Sequence, residues 1–361
     1  MRWFPARHSG REPPHPALPP SRPTVVPHDP EESTPVPSRR RPAAALLTAL
    51  PLLLTACTAA VAPAPDGNGG SSTPPPPSLS AVPVLTSAND QPLPLDAYLL
   101  NPKQKLDVLK AQALLVSTCM RRFGFDYKPP QAQLPTRSAD APTTRIDSRY
   151  GRQDPALMAA WGYHPEGGLS AAATAAAAGA TGGADSKMTP EMTVVATGSG
   201  NPTTKFGPGG QIVAGVEVPD HGCFGEAAKR LAGSPDAQVG DANAAVSAKL
   251  ATLDESRSDP RTQAVFADWS NCMKESGHDY PDPLAAMNDE RWWTTDLPSQ
   301  QERQVATADA ACRKQTNLVG VWYTVDRAYQ QQAIEADAQA MSRAEATVRT
   351  QAQAAQEVLG H

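Results

Sequence analysis

The chain has 361 residues, a formal charge of −5 and an aromatic content of only 5%. Its 38 Pro and 25 Gly make up about 17% of the residues, against an average near 12%. Removing residues 1–56 leaves 25 Lys/Arg and 33 Asp/Glu, and this net charge of −8 argues against nucleic-acid binding. No run of 18 apolar residues is present, so the sequence predicts no membrane-spanning helix.

The N-terminal region has the layout of an export signal. Residues 1–38 are rich in Pro, Arg and Ser, and we expect them to be disordered. A signal preceded by such a segment suggests a misplaced start, for which Val36 is a candidate initiator. Three arginines at 39–41 then precede an apolar run over 43–54. A positive segment, an apolar core and small residues before a cleavage point predict a signal peptide over residues 39–56.

The signal ends in Leu54-Thr55-Ala56-Cys57, which resembles the bacterial lipobox. That resemblance implies diacylglyceryl attachment to the Cys57 sulfur and cleavage before it. The alternative, a buried helix with an incidental cysteine, is disfavoured by Pro51 within the apolar run. Membrane lipid is therefore a predicted partner through Cys57, with palmitate on the new N-terminus. Residues 57–97, rich in Gly, Ser and Pro, are predicted to be the lipid anchor and a flexible tether.

Four further cysteines predict disulfides, because an even number in an exported chain favours pairing, with three connectivities open. The nine residues from Cys119 align without gaps with those from Cys272, and five positions match: Cys, Met, Gly, Asp and Tyr. Such repetition indicates a divergent internal duplication. We therefore predict a first module over 98–258 and a second over 259–361.

The context of the two cysteines repeats as well. Asn101-Pro102 and Asp259-Pro260 predict helix starts, and Gly124 and Gly277 are suited to the positive φ of a helix end. One further cysteine follows each repeated unit, so two successive modules predict the disulfides Cys119–Cys223 and Cys272–Cys312. A metal site using cysteines with His221 or His278 is the alternative. It is disfavoured because no Cys-x-x-Cys is present, and we predict neither metal nor cofactor.

The first module carries a long insertion between its cysteines. Asp154-Pro155 predicts a short helix, and the Ala/Gly run over 170–183 should be mobile. The β-branched runs over 193–197 and 211–218 predict a small hairpin. Gly222-Cys223 is predicted to open a helix that ends at Gly233, and Ser234-Pro235 to open the next.

The C-terminal third is predicted to be helical. Ser299 and Glu302 form a capping-box pattern, and Gly320 is expected to break that helix. Residues 321–358 contain neither Gly nor Pro and predict one long helix that could protrude or meet another helix. Its thin apolar seam repeats every seven residues, at Ile334, Met341, Val348 and Ala355. The predicted fold is thus mostly α: a helical, disulfide-stapled domain with a small β-hairpin and a long C-terminal helix.

Taken together, these motifs resemble a family of uncharacterised actinobacterial lipoproteins. The resemblance rests on the lipobox, Cys-Met-x₃-Gly-x₂-Tyr twice, Arg149-Tyr150-Gly151, Gly162-Tyr163-His164 and Gly-Cys-x-Gly-Glu-Ala from Gly222. It covers roughly residues 95–359. It implies an envelope role beside peptidoglycan-binding adaptor or exporter components, and it brings no catalytic residues to this chain.

Catalytic templates are absent from the sequence, including the nucleophile elbow, the zinc-protease motif and the phosphate-binding loop. The remaining polar candidates are His278, Asp279 and Asp282, with Tyr280 and its repeat partner Tyr127. They could serve acid–base chemistry or contact a ligand; alternatively, Asp caps a turn and Tyr packs over the disulfide. Of the pair Trp292-Trp293, we expect one ring in the core.

These observations favour a membrane-anchored lipoprotein on the extracytoplasmic face of the cell membrane. We expect a non-enzymatic interaction module of the cell envelope that binds exporter or adaptor subunits or peptidoglycan. Tyr127, Tyr280, His278 and Asp279 are its candidate interaction residues. The alternative is a cell-wall-modifying hydrolase that uses Asp279, Asp282 and His278.

Overall fold

The structure is a computed structural model that describes most of the chain after residue 74. The described residues are 75–85, 91–129, 145–181, 188–201 and 203–360, without the side chains of 175–181. The segment 1–38, the signal peptide and Cys57 lie outside them. Among the described residues, no helix is both long and apolar enough to cross a membrane.

Helices make up most of the described chain, and one small antiparallel hairpin accompanies them, which confirms the predicted fold class. The helices are α1 (Pro102–Arg122), α2 (Ile146–Tyr150), α3 (Pro155–Trp161), α4 (Gly168–Thr181), α5 (Pro190–Thr197), α6 (Gly222–Ala232), α7 (Asn243–Ser258), α8 (Pro260–Glu275), α9 (Pro283–Met287), α10 (Gln300–Thr316), α11 (Leu318–Ala336) and α12 (Ala338–Leu359). Single 3₁₀ turns cover Pro94–Tyr98 and Glu290–Thr294. In the hairpin, β1 (Ile212–Val213) pairs with β2 (Val216–Glu217).

The repeated cap-and-proline pairs start the two cysteine helices, α1 and α8, as predicted. Asn101 Oδ1 accepts the backbone N–H of Gln104 at 2.8 Å, and Asp259 Oδ1 accepts that of Arg261 at 2.8 Å. Proline suits the first helical position because its missing N–H would have no partner there. Local sequence therefore fixes where both helices begin.

One apolar core surrounds the disulfide between α1 and α6. Cys119 and Cys223 are joined, with their Cα atoms 5.6 Å apart and both side chains buried. Val116, Phe123 and Val195 belong to the same cluster, which we call the first core. Helix α5 contacts α6 over this core, and the hairpin packs at its edge.

A larger core, the second core, surrounds the other disulfide, between α8 and α10. Cys272 and Cys312 are joined there, with Cα atoms 5.7 Å apart. Three tryptophans that are at most 2% exposed belong to this cluster: Trp269, Trp292 and Trp322. Both disulfides therefore follow the pairing that the two-module prediction gives.

The C-terminal helical segment is broken once and folds back onto the domain. At the break, Asp337 leaves the helical conformation and caps α12 by accepting the backbone N–H of Ala340 at 3.0 Å. The predicted seam residues Met341, Val348 and Ala355 are buried, and α12 packs mainly on α1. Of the two outcomes left open for this segment, the helix meets another helix and does not protrude. Because α12 belongs to the second module and packs on the first, the described residues form one compact unit.

The strand predicted over residues 193–197 is wrong, since this run belongs to helix α5. Thr189 caps that helix by accepting the backbone N–H of Met192 at 3.2 Å, and Pro190 occupies the first position. These start signals outweigh the β-branched side chains. The Ala/Gly run over 170–183 is helical as far as the end of α4, and its mobility stays a prediction.

The helix predicted from Ser234 begins later, at Asn243, and a loop precedes it. The reason lies on α12, where the buried Gln351 side chain holds the loop backbone. Its Oε1 accepts the N–H of Gly240 at 2.7 Å, and its amide donates to the carbonyl oxygens of Gln238 and Gly240 at 3.2 Å. Because Gln351 lies 111 residues from Gly240 in sequence, the residues around Ser234 do not reveal this contact.

The break predicted at Gly320 lies earlier, where α10 ends and Asn317 takes a left-handed conformation with φ 51°. Gly320 instead lies within α11. A Cβ there would collide with the carbonyl oxygen of Pro83, which comes from the N-terminal extended segment. This glycine therefore permits a close approach of two segments rather than ending a helix.

The predicted tether reached residue 97, but its described part lies on the domain. Asn317 donates to Pro83 O at 2.9 Å, and Arg261 donates to Pro77 O at 2.8 Å. The backbone N–H of Leu95 donates to the buried Gln330 at 3.1 Å. The folded part of the chain consequently starts before the predicted boundary.

Candidate functional site

The two predicted tyrosines occupy equivalent places at the ends of the cysteine helices. Gly124 and Gly277 adopt φ values of 81° and 84°, which turns the chain after each helix. Tyr127 and Tyr280 follow, and they are only 7% and 9% exposed. They belong to the clusters that contain the first and second disulfides, respectively. The structure thus places these candidate interaction residues in the cores.

Tyr280 keeps its hydroxyl in a polar group beside the second core. The hydroxyl donates to Asp289 Oδ2 at 2.9 Å and accepts from Arg291 at 2.9 Å. Burial, followed by the bond to Asp289, raises the pKa of Tyr280 to about 12. The Arg291 guanidinium holds the pKa of Asp289 well below its usual range. At neutral pH, Tyr280 is therefore a protonated hydrogen-bond donor.

The other predicted polar candidates are not assembled into one site. Asp282 Oδ1 caps α9 by accepting the backbone N–H groups of Leu284 and Ala285 at 2.8 and 2.9 Å. Asp279 is exposed and lies 3.7 Å from Lys274, and His278 is half-buried. Within the described residues, no hydrogen bond or ion pair joins these three candidates. Asp282 also lines an open hollow of 400 Å³ beside α8.

A buried polar group that sequence analysis missed surrounds His164, which is fully buried in the turn between α3 and α4. Its Nε2 lies 2.9 Å from the carbonyl oxygen of Thr295, and its Nδ1 lies 2.8 Å from Glu302 Oε1. The backbone N–H groups of Tyr163 and His164 also donate to that oxygen. Both ring nitrogens face acceptors, so the geometry favours the doubly protonated imidazolium.

The pKa of His164 reflects the competition between burial and these hydrogen bonds. Burial alone lowers this pKa, but the hydrogen bonds to Glu302 and Thr295 outweigh burial, so the pKa is raised from its ordinary value. The Trp293 ring, which is 41% exposed, stacks over the imidazole at 5.4 Å. Trp292 is buried, so one ring of the pair lies in the core as expected.

Two further buried ion pairs lie beside the second core, and one of them joins Arg149 of the first module to Asp326 of the second. Arg313 Nε donates to Asp309 Oδ1 at 2.7 Å, and both side chains are at most 1% exposed. Arg149 Nε donates to Asp326 Oδ2, and these side chains are also buried. The Tyr150 hydroxyl donates to the same carboxylate. Buried charges of this kind are stable only when paired and hydrogen-bonded. These groups are structural clamps between α2, α10 and α11.

The glycines of the motifs Arg149-Tyr150-Gly151 and Gly162-Tyr163-His164 make room for the charged side chains of Arg313 and Glu302. A Cβ at Gly151 would lie 2.9 Å from the Arg313 guanidinium, and one at Gly162 would lie 2.5 Å from Glu302. These two motifs are therefore the part of the buried polar group that could be recognised in the sequence. The residues that pair with them, such as Asp309 on α10, lie in helices where no sequence motif marks them.

A cleft of 510 Å³ opens in the first module between α1, α6 and two loops. Gln112 lines it from α1, Lys205 and Phe206 from one loop, and His221 and Phe224 from the start of α6. Residues 235–239 close the other side. Clefts of this size, with a few polar groups, are the usual sites of small-ligand binding. We call this the His221 cleft.

The start of α6 positions His221 through unusual backbone geometry. His221 has a left-handed φ of 59°, and Gly222 follows with φ 63°. A Cβ at Gly222 would lie 2.5 Å from the α5 backbone, and one at Gly225 would collide with Asp220 O. Next to them, Cys223 ties α6 to α1. The Gly-Cys-x-Gly motif therefore fixes the wall of the cleft.

The His221 ring joins the start of α6 to the loop that contains Asp236. Its Nδ1 lies 2.8 Å from Asp220 Oδ1, and its Nε2 lies 3.0 Å from Asp236 Oδ1. The Phe206 ring packs against it, with centroids 5.5 Å apart.

In the described part of the chain, no group of three His, Cys, Asp or Glu side chains could hold a metal ion. Comparison with protein-family models, curated proteins and solved structures finds no match.

Proposed function

We propose that this protein is a lipid-anchored, extracytoplasmic binding module of the cell envelope and that the His221 cleft is its binding site. In this proposal Cys57 carries the acyl chains, and the domain acts without chemistry of its own. The partner is an exporter or adaptor subunit or a cell-wall polymer. The resemblance to actinobacterial lipoproteins points in the same direction.

The His221 cleft is the observation that carries the proposal. Its walls come from α1 and α6, which the Cys119–Cys223 disulfide ties together. A site built on linked helices is preorganised, and preorganisation lowers the entropic cost of binding. His221 itself lies in a sparsely populated backbone region, a feature that is concentrated at ligand sites.

Photo-crosslinking in intact cells tests the binding role. A photoreactive residue replaces Lys205, which is exposed on the cleft rim, and a matched one replaces Gln331, which is exposed on α11. We expect one envelope subunit or wall glycan to be recovered from position 205 and not from 331. Equal recovery from both positions, or none from position 205, would contradict a binding role for the cleft.

Acyl labelling tests the anchor separately. Cells fed a clickable palmitate analogue should label the chain, and Cys57→Ser should abolish the label and release the protein from membranes. The variant Ser72→Ala is the matched control, because it is a similarly small change in the predicted tether and leaves both disulfides intact. Membrane retention and labelling of Cys57→Ser would rule out the lipobox interpretation.

A further inference from the structure

We propose that the His221 cleft binds a neutral saccharide chain; this inference rests on the proposed binding role of the cleft. The argument uses three properties of the cleft: its charge balance, its aromatic faces and its side-chain amides. Each narrows the class of ligand independently of the others.

The charges at the cleft balance one another. Among the residues that line it, Lys205 carries a positive charge and Asp236 a negative one. These opposite charges leave no excess of either sign to attract a phosphate, an acidic peptide or a polycation. A neutral ligand fits this site best.

Aromatic faces meet solvent inside this otherwise polar cleft. Phe206 and Phe224 are half-buried, and both line the open space. A sugar ring has a flat face of C–H groups that can stack on an aromatic ring while its hydroxyl groups point sideways. The Phe206 ring packs against His221, and the exposed Lys205 ammonium lies 5.2 Å from its centroid. Phe206 is the ring on which we expect a sugar to stack.

Two carboxamides supply complementary hydrogen bonds. Gln112 from α1 and Gln238 from the loop before α7 both line the cleft. An amide both donates and accepts, as a sugar hydroxyl group does, so one amide can satisfy two neighbouring hydroxyls. Gln238 is anchored because its amide donates to Asp241 O at 2.5 Å. The cleft thus presents hydrogen-bonding side chains as well as the Phe206 ring.

Isothermal titration of the full chain in detergent micelles tests the proposal, with the β-1,4-linked N-acetylglucosamine tetramer as the probe. We expect saturable binding at one site. Phe206→Ala should weaken it about tenfold, the loss expected when a stacking contact of about 1.4 kcal/mol is removed. Phe206→Tyr retains the ring and should keep most of the affinity. Trp293→Ala removes an exposed ring outside the cleft and should change nothing.

Melting temperatures of all variants show whether Phe206→Ala stays folded, and Phe206→Tyr gives a readout if it does not. Absence of saturable binding, or equal weakening by Phe206→Ala and Trp293→Ala, would overturn the saccharide proposal. Binding of an acidic or basic peptide at the cleft in place of the tetramer would overturn it as well. If the tetramer does not bind but a crosslinker at position 205 captures an envelope protein, the saccharide proposal fails while the proposed binding role of the cleft is kept.

Discussion

The two cysteine modules share a nine-residue motif and the helix start before it, but they differ in the packing around the disulfide. The first core has no tryptophan among its described members, and its disulfide supports an open cleft. The second core contains Trp269, Trp292 and Trp322 and is clamped by buried ion pairs on α10 and α11. A shared helix end therefore specifies a disulfide and a turn. The packing around the helix end determines whether a module forms a closed core, as in the second, or an open cleft, as in the first.

Removing each disulfide in turn gives the largest effect and compares the modules directly. The cysteines are 104 residues apart in the first module and 40 in the second. In the loop-closure model, replacing both cysteines by Ala costs about 5 kcal/mol for the first pair and about 4 kcal/mol for the second. Urea unfolding measures both losses. A larger loss for the second pair would show that core packing, rather than loop length, sets the difference.

Breaking a buried ion pair should come next in size. Arg313→Met leaves the Asp309 carboxylate buried without its cation, which costs about 3–5 kcal/mol. The control Arg257→Met removes an exposed pair with Asp254 and should cost about 0–1 kcal/mol. Denaturant unfolding of both variants gives the comparison. Similar losses would mean that the pair on α10 is not the clamp that its burial indicates.

The sequence predicted what depends on neighbours in the chain. The helix starts at Asn101 and Asp259, the turns at Gly124 and Gly277, and the cysteine pairing all follow from local motifs and their repetition. Predictions failed where a distant segment decides the outcome, as at Gly320, which faces Pro83, and in the loop held by Gln351. The same limit explains why the His221 cleft was not foreseen. Its walls come from segments that lie far apart in sequence.

The imidazolium at His164 should make stability depend on pH. Its pKa is raised in the folded chain, so its stabilisation is fully present below the ordinary pKa of about 6.5 and is lost as pH rises through the folded value. We expect the melting temperature to fall over this window. His164→Gln should lower the melting temperature at acidic pH and flatten the profile.

The half-buried His278 provides a matched control for that measurement. His278→Gln should keep the pH profile of the parent chain, because the fully buried contacts with Glu302 and Thr295 belong to His164. Melting curves between pH 5 and pH 9 compare the three proteins. A profile that stays as steep in His164→Gln as in the parent would show that other groups carry the pH dependence.

The smallest effects separate a helix cap from a catalytic carboxylate. Asp282→Ala removes the cap of α9 and should cost about 1 kcal/mol, whereas the exposed Asp279→Ala should stay within about 0.5 kcal/mol. Thermal unfolding measures both, and turnover of purified peptidoglycan is followed in parallel. Loss of a measurable hydrolysis in Asp279→Ala at an unchanged melting temperature would favour the hydrolase alternative. Because Asp282 is already committed to two backbone N–H groups, we expect its loss to register in stability alone.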